Sequence, residues 1–513
     1  MDNEESRSQN ALLNTLWAVL CQFAIVVLGL FSRKVFLVQL GAELLGVNSL
    51  FSDVLMLFSF ADLGFGTAIM FSMYKPIAEN DTNKVGSLLL FYRTIYRYVI
   101  ATLIIISLCF IPFLGIIKTE IPVNELIVYY MFFQFANIAE YVWAYREGYV
   151  IACQRERELS VFNLIYNIIR NVVQIAIVLL FSNFTLYLVV GAVCVVVKKL
   201  LVNWYIVKKY PVTTLRGVQK LSKAERKSIM NKSIALLITK VGNLIINQTD
   251  SLIVSYFISV VQWGFASNYL VIKKAIFTVS DKIYSSVLPR MGNLLVSNNK
   301  EHETKVFLKY DYLNAWMHTF FFVAFVCMSN PFISIFFGKD AVLSYSFVFV
   351  FFFAGFIDGL RSPVSVMREA GGSFEKDKWY TIVAAIVNIV VSVPLAMMLG
   401  LNGVYIGTIC AMLVLHICRT MVLLNGNDYA ISTIKYLLVL VKHALIGLLI
   451  CGITFYLVQL LDKFAINKYL LFGIKGILVC IIPNAIWMAL SINNECFREL
   501  MDKLKERFKG VKG

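Results

Sequence analysis

Charged and polar side chains recur at helical spacing inside segments of the chain that are otherwise apolar. Two such sets are Asn163, Asn167, Arg170 and Gln174, and Lys240, Asn243, Asn247 and Asp250. Residues three or four apart share one face of a helix, so each set forms a polar stripe. Where such a helix crosses a membrane, an ionisable side chain usually faces an interior or a water-filled cavity. We therefore expect a wet cavity, with hydrogen bonding between helices as the alternative for the uncharged members.

Cations outnumber acids within these apolar segments, which favours an anionic ligand. Arginine binds phosphate oxygens as a planar fork and lysine binds them as a point charge, so the surplus suits a diphosphate. The predicted substrate-binding cations are Arg33, Arg93, Arg170, Lys240 and Lys274, drawn from a set that also includes Lys34, Arg97 and Lys273. The predicted polar cavity residues are Asp62, Asn167, Asn243 and Asn247. Arg33 and Arg93 have an alternative, since long basic side chains can reach the membrane interface instead.

The carboxyl groups in these segments offer a second chemistry, the coupling of transport to an ion gradient. A carboxyl in a low-dielectric site can carry a proton. Asp250, Asn388 and Thr408 could instead hold a sodium ion if the fold brings them together. We predict Asp250 as the coupling acid because it shares a stripe with Lys240. For this and the other acids (Asp62, Glu140, Asp281 and Asp358) structural ion pairing is the alternative.

These residues are carried by about fourteen long apolar stretches, from 11–31 to 470–491, separated by short polar connections. A helix needs about 20 residues to cross a hydrocarbon core of roughly 30 Å. With 59% hydrophobic and 15% charged residues, the chain lacks the polar faces of a soluble protein. The sequence predicts an all-α polytopic membrane protein with about fourteen transmembrane helices.

Basic residues give the expected orientation. With a cytoplasmic N-terminus, the odd-numbered connections carry only Arg33, Lys34, Lys118, Lys339, Lys463 and Lys468. The even-numbered connections and the C-terminal tail are much richer in Lys and Arg, which the positive-inside rule places in the cytoplasm. We expect both termini to be cytoplasmic. The net charge of +16 then fits anionic lipid headgroups, and no nucleic-acid partner is expected.

The first twelve stretches are predicted to be two copies of a six-helix unit. Turns predicted at 45–49 and 263–267 are offset by 218 residues, from Gly46 to Gly264, and minimal turns follow at Ser182-Asn183 and at 400–403. An even number of helices gives both copies the same direction, so a pseudo-two-fold axis along the membrane normal would relate them. The predicted parts are lobes 1–207 and 233–424, a basic linker 208–232, two extra helices within 425–495, and a basic tail 496–513.

Several short motifs in this order resemble bacterial polysaccharide flippases of the Wzx type. They are Ala61–Gly66, Tyr74–Ala78, Thr249–Ser255, Gly264–Tyr269, Asn388–Ser392 and Gly400–Thr408. The resemblance implies the multidrug/oligosaccharidyl-lipid/polysaccharide exporter superfamily, with two lobes working by alternating access. It further implies transport of undecaprenyl-pyrophosphate-linked oligosaccharide, such as an O-antigen, capsule or exopolysaccharide unit, from the cytoplasmic to the periplasmic leaflet.

The same resemblance sets the remaining expectations. A multi-pass monomer in the bacterial inner membrane is expected to work with membrane lipids, a polysaccharide polymerase and a chain-length regulator. A multidrug or organic-cation antiporter and a lipid II flippase are the alternatives. No Gly-rich phosphate loop or metal-ligand spacing is present in the sequence, so we expect neither an enzyme nor a cofactor or metal site.

Overall fold

The structure is a computed structural model that describes residues 2–59, 65–215, 217–296, 299–371, 378–425, 429–464, 467–499 and 501–502. Side chains are described from residue 27 onward, except at 232, 234–240, 242–243, 247, 275–276, 279, 296 and 378. All regular structure in these ranges is helical. The prediction of an all-α chain is confirmed.

Sixteen α-helical elements lie within the described residues, and the first of them consists of two helices joined by a kink at Gly41 (φ 86°, ψ 171°). They are α1 (Asp2–Phe58), α2 (Phe65–Ala78), α3 (Thr82–Phe110), α4 (Val123–Tyr141), α5 (Ala144–Ala152), α6 (Glu156–Phe181), α7 (Phe184–Lys209), α8 (Lys223–Ile253), α9 (Val260–Val296), α10 (Lys300–Phe336), α11 (Tyr345–Leu360), α12 (Ser362–Ala370), α13 (Lys378–Leu399), α14 (Leu401–Asn425), α15 (Thr433–Leu460) and α16 (Lys468–Leu490). A π-helical turn, Val254–Ile258, follows α8.

Ten helical segments in the described part are long and apolar enough to cross a membrane. They begin with Val27–Phe58 and Thr82–Ile116 and end with Thr433–Lys463 and Lys468–Leu490. They account for ten of the roughly fourteen predicted spans, and the polytopic membrane class is confirmed. The apolar stretch 126–150, one of the fourteen in the sequence, is divided into α4 and α5, because Trp143 between them adopts a left-handed φ of 63°.

The chain divides into two compact units. The first contains Met1–Leu244 and Ser259–Gly264, and the second contains Ile245–Ile258 and Phe265–Gly513. Within the first unit α7 packs against α4 and α6, and within the second α14 packs against α13 and α11. The lobe boundaries expected from the sequence repeat stay a prediction.

The two predicted minimal turns join consecutive packed helices, and the second is shorter than the predicted 400–403 because α14 begins at Leu401. Ser182 turns the chain with a left-handed φ of 45°, and the Asn183 side chain then caps α7 by accepting a 3.0 Å hydrogen bond from the Leu186 amide. Gly400 makes the corresponding turn between α13 and α14 with a φ of 60°. Glycine adopts this conformation without steric cost, so the second hairpin closes with a single residue.

The segments predicted as turns at 45–49 and 263–267 are helical, so that prediction was wrong. Their glycines serve close packing of two helices inside the first unit. A Cβ on Gly46 would lie 2.1 Å from the Val260 carbonyl oxygen, and one on Gly264 would lie 2.5 Å from that of Ala42. A glycine in a sequence is compatible with a turn and also with the close approach of another backbone. At Gly46 and Gly264 the structure shows close approach.

Candidate functional site

The structure describes six of the ten predicted site residues in full. Asp62 lies outside the described residues, as do the side chains of Lys240, Asn243 and Asn247. Their roles stay predictions. The side chains of Arg33, Arg93, Arg170, Lys274, Asn167 and Asp250 are described, and they fall into two separate groups, one in each compact unit.

In the first unit Arg33 of α1 and Arg170 of α6 approach the same residue, Tyr187 of α7. Both guanidinium groups interact electrostatically with that tyrosine. Its ring packs against Phe36, one helical turn after Arg33, at a centroid distance of 5.1 Å. Its carbonyl oxygen accepts a 3.2 Å hydrogen bond from Gln174, one turn after Arg170. Two predicted cations that are 137 residues apart in sequence (33 and 170) thus converge.

Each arginine also contacts residues of its own helical element. Arg33 donates a 3.2 Å hydrogen bond to the Ser49 hydroxyl and interacts electrostatically with the buried Asp53. Arg170 donates to Gln174 Oε1 at 3.2 Å and to the Tyr166 hydroxyl at 3.3 Å. These hydroxyl and amide oxygens orient the two guanidinium groups, and Asp53 places a carboxylate near Arg33.

Two further cations, Lys198 and Lys199 of α7, lie beside this pair. Lys198 Nζ is 4.5 Å from the centre of the Tyr166 ring, the same ring that Arg170 approaches. It also forms an ion pair of 2.5 Å with Glu140. Lys199 pairs with Glu140 at 3.1 Å and with Glu147 at 2.6 Å. Glu140 is therefore engaged in structural ion pairs, the alternative that the sequence left open for it.

The other predicted residues of this group are placed differently. Arg93 is half-buried on α3 and makes no side-chain hydrogen bond or ion pair within the described part of the chain. Asn167 donates a 2.8 Å hydrogen bond to the Asn163 carbonyl oxygen of its own helix. The stripe spacing on α6 is correct, since Arg170 and Gln174 are hydrogen-bonded along it. The side-chain amide of Asn167 is therefore bonded to the backbone of α6.

In the second unit Asp250 of α8 takes part in a buried hydrogen-bonded chain. The Thr408 hydroxyl is 3.0 Å from Asp250 Oδ1, and Asn388 Nδ2 donates to Thr408 at 3.1 Å. Thr249 donates to Asn388 Oδ1 at 2.9 Å. All four residues are at most 8% exposed. The fold brings together Asp250, Asn388 and Thr408, as the sodium alternative requires.

Glycines of α14 make this convergence possible. A Cβ on Gly403 would lie 1.9 Å from the Leu395 carbonyl oxygen, and one on Gly407 would lie 2.1 Å from the Ser392 hydroxyl. Without side chains there, α14 sits directly against α13 and presents Thr408 to Asn388. Ser392 completes the contact by donating a 3.1 Å hydrogen bond to the Val404 carbonyl oxygen. The Asp250 carboxylate and the hydroxyls of Thr408 and Thr249 supply the oxygen atoms that hard cations prefer, and the Asn388 amide bridges the two hydroxyls.

Of the two neighbouring lysines on α9, it is Lys273 that enters the helix packing. Lys274, the predicted binding residue, is exposed. The Lys273 ammonium lies 5.0 Å from the Phe351 ring centre, and it interacts electrostatically with Asp358 and Asp250. Sequence analysis did not choose Lys273, because the stripe on α9 gives no sign of which of two adjacent lysines faces α11. Gly355 of α11, which makes room for it, was the available signal.

No family model matches this chain, and no curated protein matches it. Solved structures do. The lipid II flippase MurJ in an inward closed conformation superposes with a TM-score of 0.67 at 14% identity, over 92% of this chain and 98% of that one. An inward-facing multidrug resistance MATE family transporter of the MOP superfamily gives 0.56 at 17% identity, over 78% and 96%. The eukaryotic MATE transporter AtDTX14 gives 0.50 at 12% identity, over 84% and 98%. At these identities the likeness shows the fold, that of MurJ and the MATE transporters.

Proposed function

We propose that this protein is a membrane flippase that moves undecaprenyl-pyrophosphate-linked oligosaccharide from the cytoplasmic to the periplasmic leaflet by alternating access. The fold supports a transporter of this kind, because MurJ and MATE proteins share it. The polysaccharide substrate rests on the sequence motifs that resemble Wzx-type flippases. The role is transport, not catalysis.

The convergence of Arg33 and Arg170 on Tyr187 is the observation that carries this proposal. A diphosphate needs several donors with fixed geometry, and arginine offers five N–H donors in a rigid fork. Hydroxyl oxygens of Ser49 and Tyr166 orient the two groups, and among the described residues Arg170 forms no ion pair that an anion would have to break. An organic-cation antiporter would need a carboxylate to bind its substrate, and Glu140 in this group is already paired with Lys198 and Lys199, which disfavours that alternative.

We further propose that Asp250 couples transport to an ion gradient. Asp250 would either carry a proton or, with Asn388 and Thr408, supply oxygen ligands to a sodium ion. In both cases one positive charge is added to a buried carboxylate. Moving one elementary charge through the membrane potential is worth roughly 2.3 kcal/mol per 100 mV, enough to bias two conformations that differ by a similar free energy.

The cellular setting follows from the same proposal. A multi-pass monomer in the bacterial inner membrane, with both termini in the cytoplasm, would receive its substrate where lipid-linked oligosaccharides are assembled. It would deliver the substrate to a periplasmic polysaccharide polymerase with its chain-length regulator. Membrane lipids would surround the exposed apolar faces of helices such as α6 and α7.

Lipid II flipping is the second candidate, and the superposition on MurJ is the observation that favours it. Both substrates are polyprenyl diphosphates, so the arginine pair serves either one. Complementation of bacterial strains distinguishes the two functions. We expect the protein to restore surface polysaccharide to a strain that lacks its own oligosaccharide flippase, and not to rescue a strain depleted of its lipid II flippase. Rescue of the second strain alone would contradict the polysaccharide proposal, and rescue of neither would contradict both.

A further inference from the structure

Lys198 of α7 lies between a carboxylate and an aromatic ring. Its ammonium forms an ion pair of 2.5 Å with Glu140 of α4 and is 4.5 Å from the centre of the Tyr166 ring. Arg170, one turn after Tyr166 on α6, donates a 3.3 Å hydrogen bond to the hydroxyl of the same tyrosine, and its guanidinium carbon is 5.9 Å from the ring centre. Two cations from different helices therefore contact one tyrosine, which stabilises them without neutralising their charge.

Glu140 has a second cation, so it does not depend on Lys198. Its other carboxylate oxygen pairs with Lys199 at 3.1 Å, and Lys199 also pairs with Glu147 of α5 at 2.6 Å. Leaving a partly buried carboxylate without a cation is costly, and Lys199 prevents this when Lys198 moves away. The side chain of Glu140 is 37% exposed, so a ligand can reach this ion pair. Lys198 is therefore the lysine of the two that can be exchanged between partners.

We propose that Lys198 is a further substrate-binding residue, which binds the second phosphoryl group of a diphosphate held at Arg170 and so selects diphosphate lipids over monophosphate lipids. This inference rests on the proposed transport of a lipid diphosphate. The guanidinium fork matches one phosphoryl group. The lysine ammonium, on its flexible stem, can turn from Glu140 to the other phosphoryl group without a change in the backbone. Glu140 competes with the ligand for Lys198 and so limits the affinity.

Binding of two lipids that differ by one phosphoryl group tests the selection. The purified full-length protein in nanodiscs is titrated by calorimetry with farnesyl diphosphate and with farnesyl monophosphate, at one pH and one ionic strength. Lys198→Gln is expected to bind the diphosphate about tenfold more weakly than the wild type, equivalent to about 1.4 kcal/mol, and to keep its affinity for the monophosphate. Lys198→Arg keeps the charge and should retain the preference. Lys208→Gln is the matched control, since Lys208 on the same helix lies over the ring of Trp204 at 5.3 Å.

Removal of the competing carboxylate should have the opposite effect. Glu140→Gln is expected to bind the diphosphate about twofold to fivefold more tightly, which corresponds to the loss of a partly exposed ion pair. Glu147→Gln, which removes a carboxylate paired with Lys199, is its control. Lys198→Gln should still weaken diphosphate binding in the Glu140→Gln background, because the lysine contacts the ligand directly, and loss of the effect there would show that Lys198 acts only through its ion pair. If Lys198→Gln does not fold, judged by its melting temperature, the double variant is compared with Glu140→Gln instead.

The outcomes separate this inference from the proposed function. Unchanged diphosphate affinity in Lys198→Gln, or an equal loss of affinity for both lipids, overturns the selective role of Lys198. A wild type that binds neither lipid, or binds both equally, overturns it as well. Flipping is scored separately, by transport of lipid-linked oligosaccharide. A transport failure with the predicted binding pattern therefore overturns the function and leaves the role of Lys198 in diphosphate binding standing.

Discussion

The hydroxyl of Thr408 lies 3.0 Å from Oδ1 of Asp250, and this contact joins α14 to α8 inside the second compact unit. The two residues are 158 positions apart in the sequence. Both are buried, Thr408 at 4% and Asp250 at 8% exposure. A hydrogen bond to an ionised group contributes about 1.5–3 kcal/mol, more than a neutral pair. The contact thus fixes the carboxylate that we assign to ion coupling.

Replacement of this carboxylate should uncouple transport. In proteoliposomes Asp250→Asn is expected to keep substrate binding and to lose the response of flipping to an imposed proton or sodium gradient, because the amide carries no charge. Thr408→Val should weaken the response. Thr420→Val is the control, since the Thr420 hydroxyl on the same helix is buried and has no hydrogen-bond partner among the described residues. Wild-type flipping that ignores both gradients would make Asp250 a structural residue.

The close crossing of α13 and α14 should depend on Gly407. A Cβ there would meet the Ser392 hydroxyl at 2.1 Å and the Ser392 amide nitrogen at 2.6 Å. Gly407→Ala is expected to lower the free energy of unfolding by about 1–3 kcal/mol, as overpacking does, and to weaken cation binding by moving Thr408. Gly452→Ala on α15 meets nothing within 4 Å and should keep or slightly raise the melting temperature. Equal melting temperatures for the two variants would contradict the packing argument.

Substrate binding should depend on Arg170. Each hydrogen bond to a charged group contributes about 1.5–3 kcal/mol, so Arg170→Ala is expected to lower surface-polysaccharide export about tenfold or more, with normal insertion. Lys240→Ala is expected to act in the same way. Arg157→Ala serves as a control, since Arg157 is exposed at the start of the same helix. Normal export by both test variants would contradict a role of Arg170 and Lys240 in substrate binding and would indicate that both are structural.

The first turn of α8 should respond to acid through Glu225. One carboxylate oxygen pairs with Lys84 of α3, and the other accepts a 2.9 Å hydrogen bond from Ser222 Oγ in a capping box. The hydrogen bond from Lys84, followed by that from Ser222, lowers the pKa of Glu225 below its usual 4.5. A lowered folded-state pKa contributes stability above the unfolded pKa, and that stability is lost as the pH falls through the folded value.

The melting temperature of Glu225→Gln should therefore lie below that of the wild type at neutral pH, and the difference should shrink as the pH falls below about 4.5. Lys84→Met should show the same convergence, because it removes the first cause of the shift. Glu301→Gln, on an exposed glutamate at the start of α10, should show no such pH dependence. A difference that is constant from neutral to acid pH would rule out the ion pair as its source.

The orientation in the membrane can be measured with reporter fusions. Fusions at Lys220 and after the C-terminal residue are expected to report the cytoplasm, and those at Lys118 and Lys463 the periplasm. All three lysines lie in connections between the long helices, where insertions are tolerated best. Basic residues concentrate on the side that we assign to the cytoplasm. A periplasmic signal at Lys220 would overturn the orientation and the repeat argument together.

The sequence alone was sufficient for the fold class and the helical stripes. Hydropathy is a local property, so long apolar stretches indicate membrane helices whatever their neighbours are. Spacing is local as well, which is why Arg170 and Gln174 lie on one face and are hydrogen-bonded. The turns at Ser182-Asn183 and Gly400 could also be predicted from the sequence, because left-handed backbone and helix capping depend on a few adjacent residues.

Tertiary structure decided which residues meet. Nothing local distinguishes Lys273 from Lys274, since the choice depends on the space that Gly355 leaves on another helix. Gly46 and Gly264 belong to helix packing and not to turns, because the approaching backbone lies far away in sequence. The pairing of Asp250 with Thr408 needed the close crossing of α13 and α14. Helix contacts depend on long-range shape complementarity, which a local pattern does not encode.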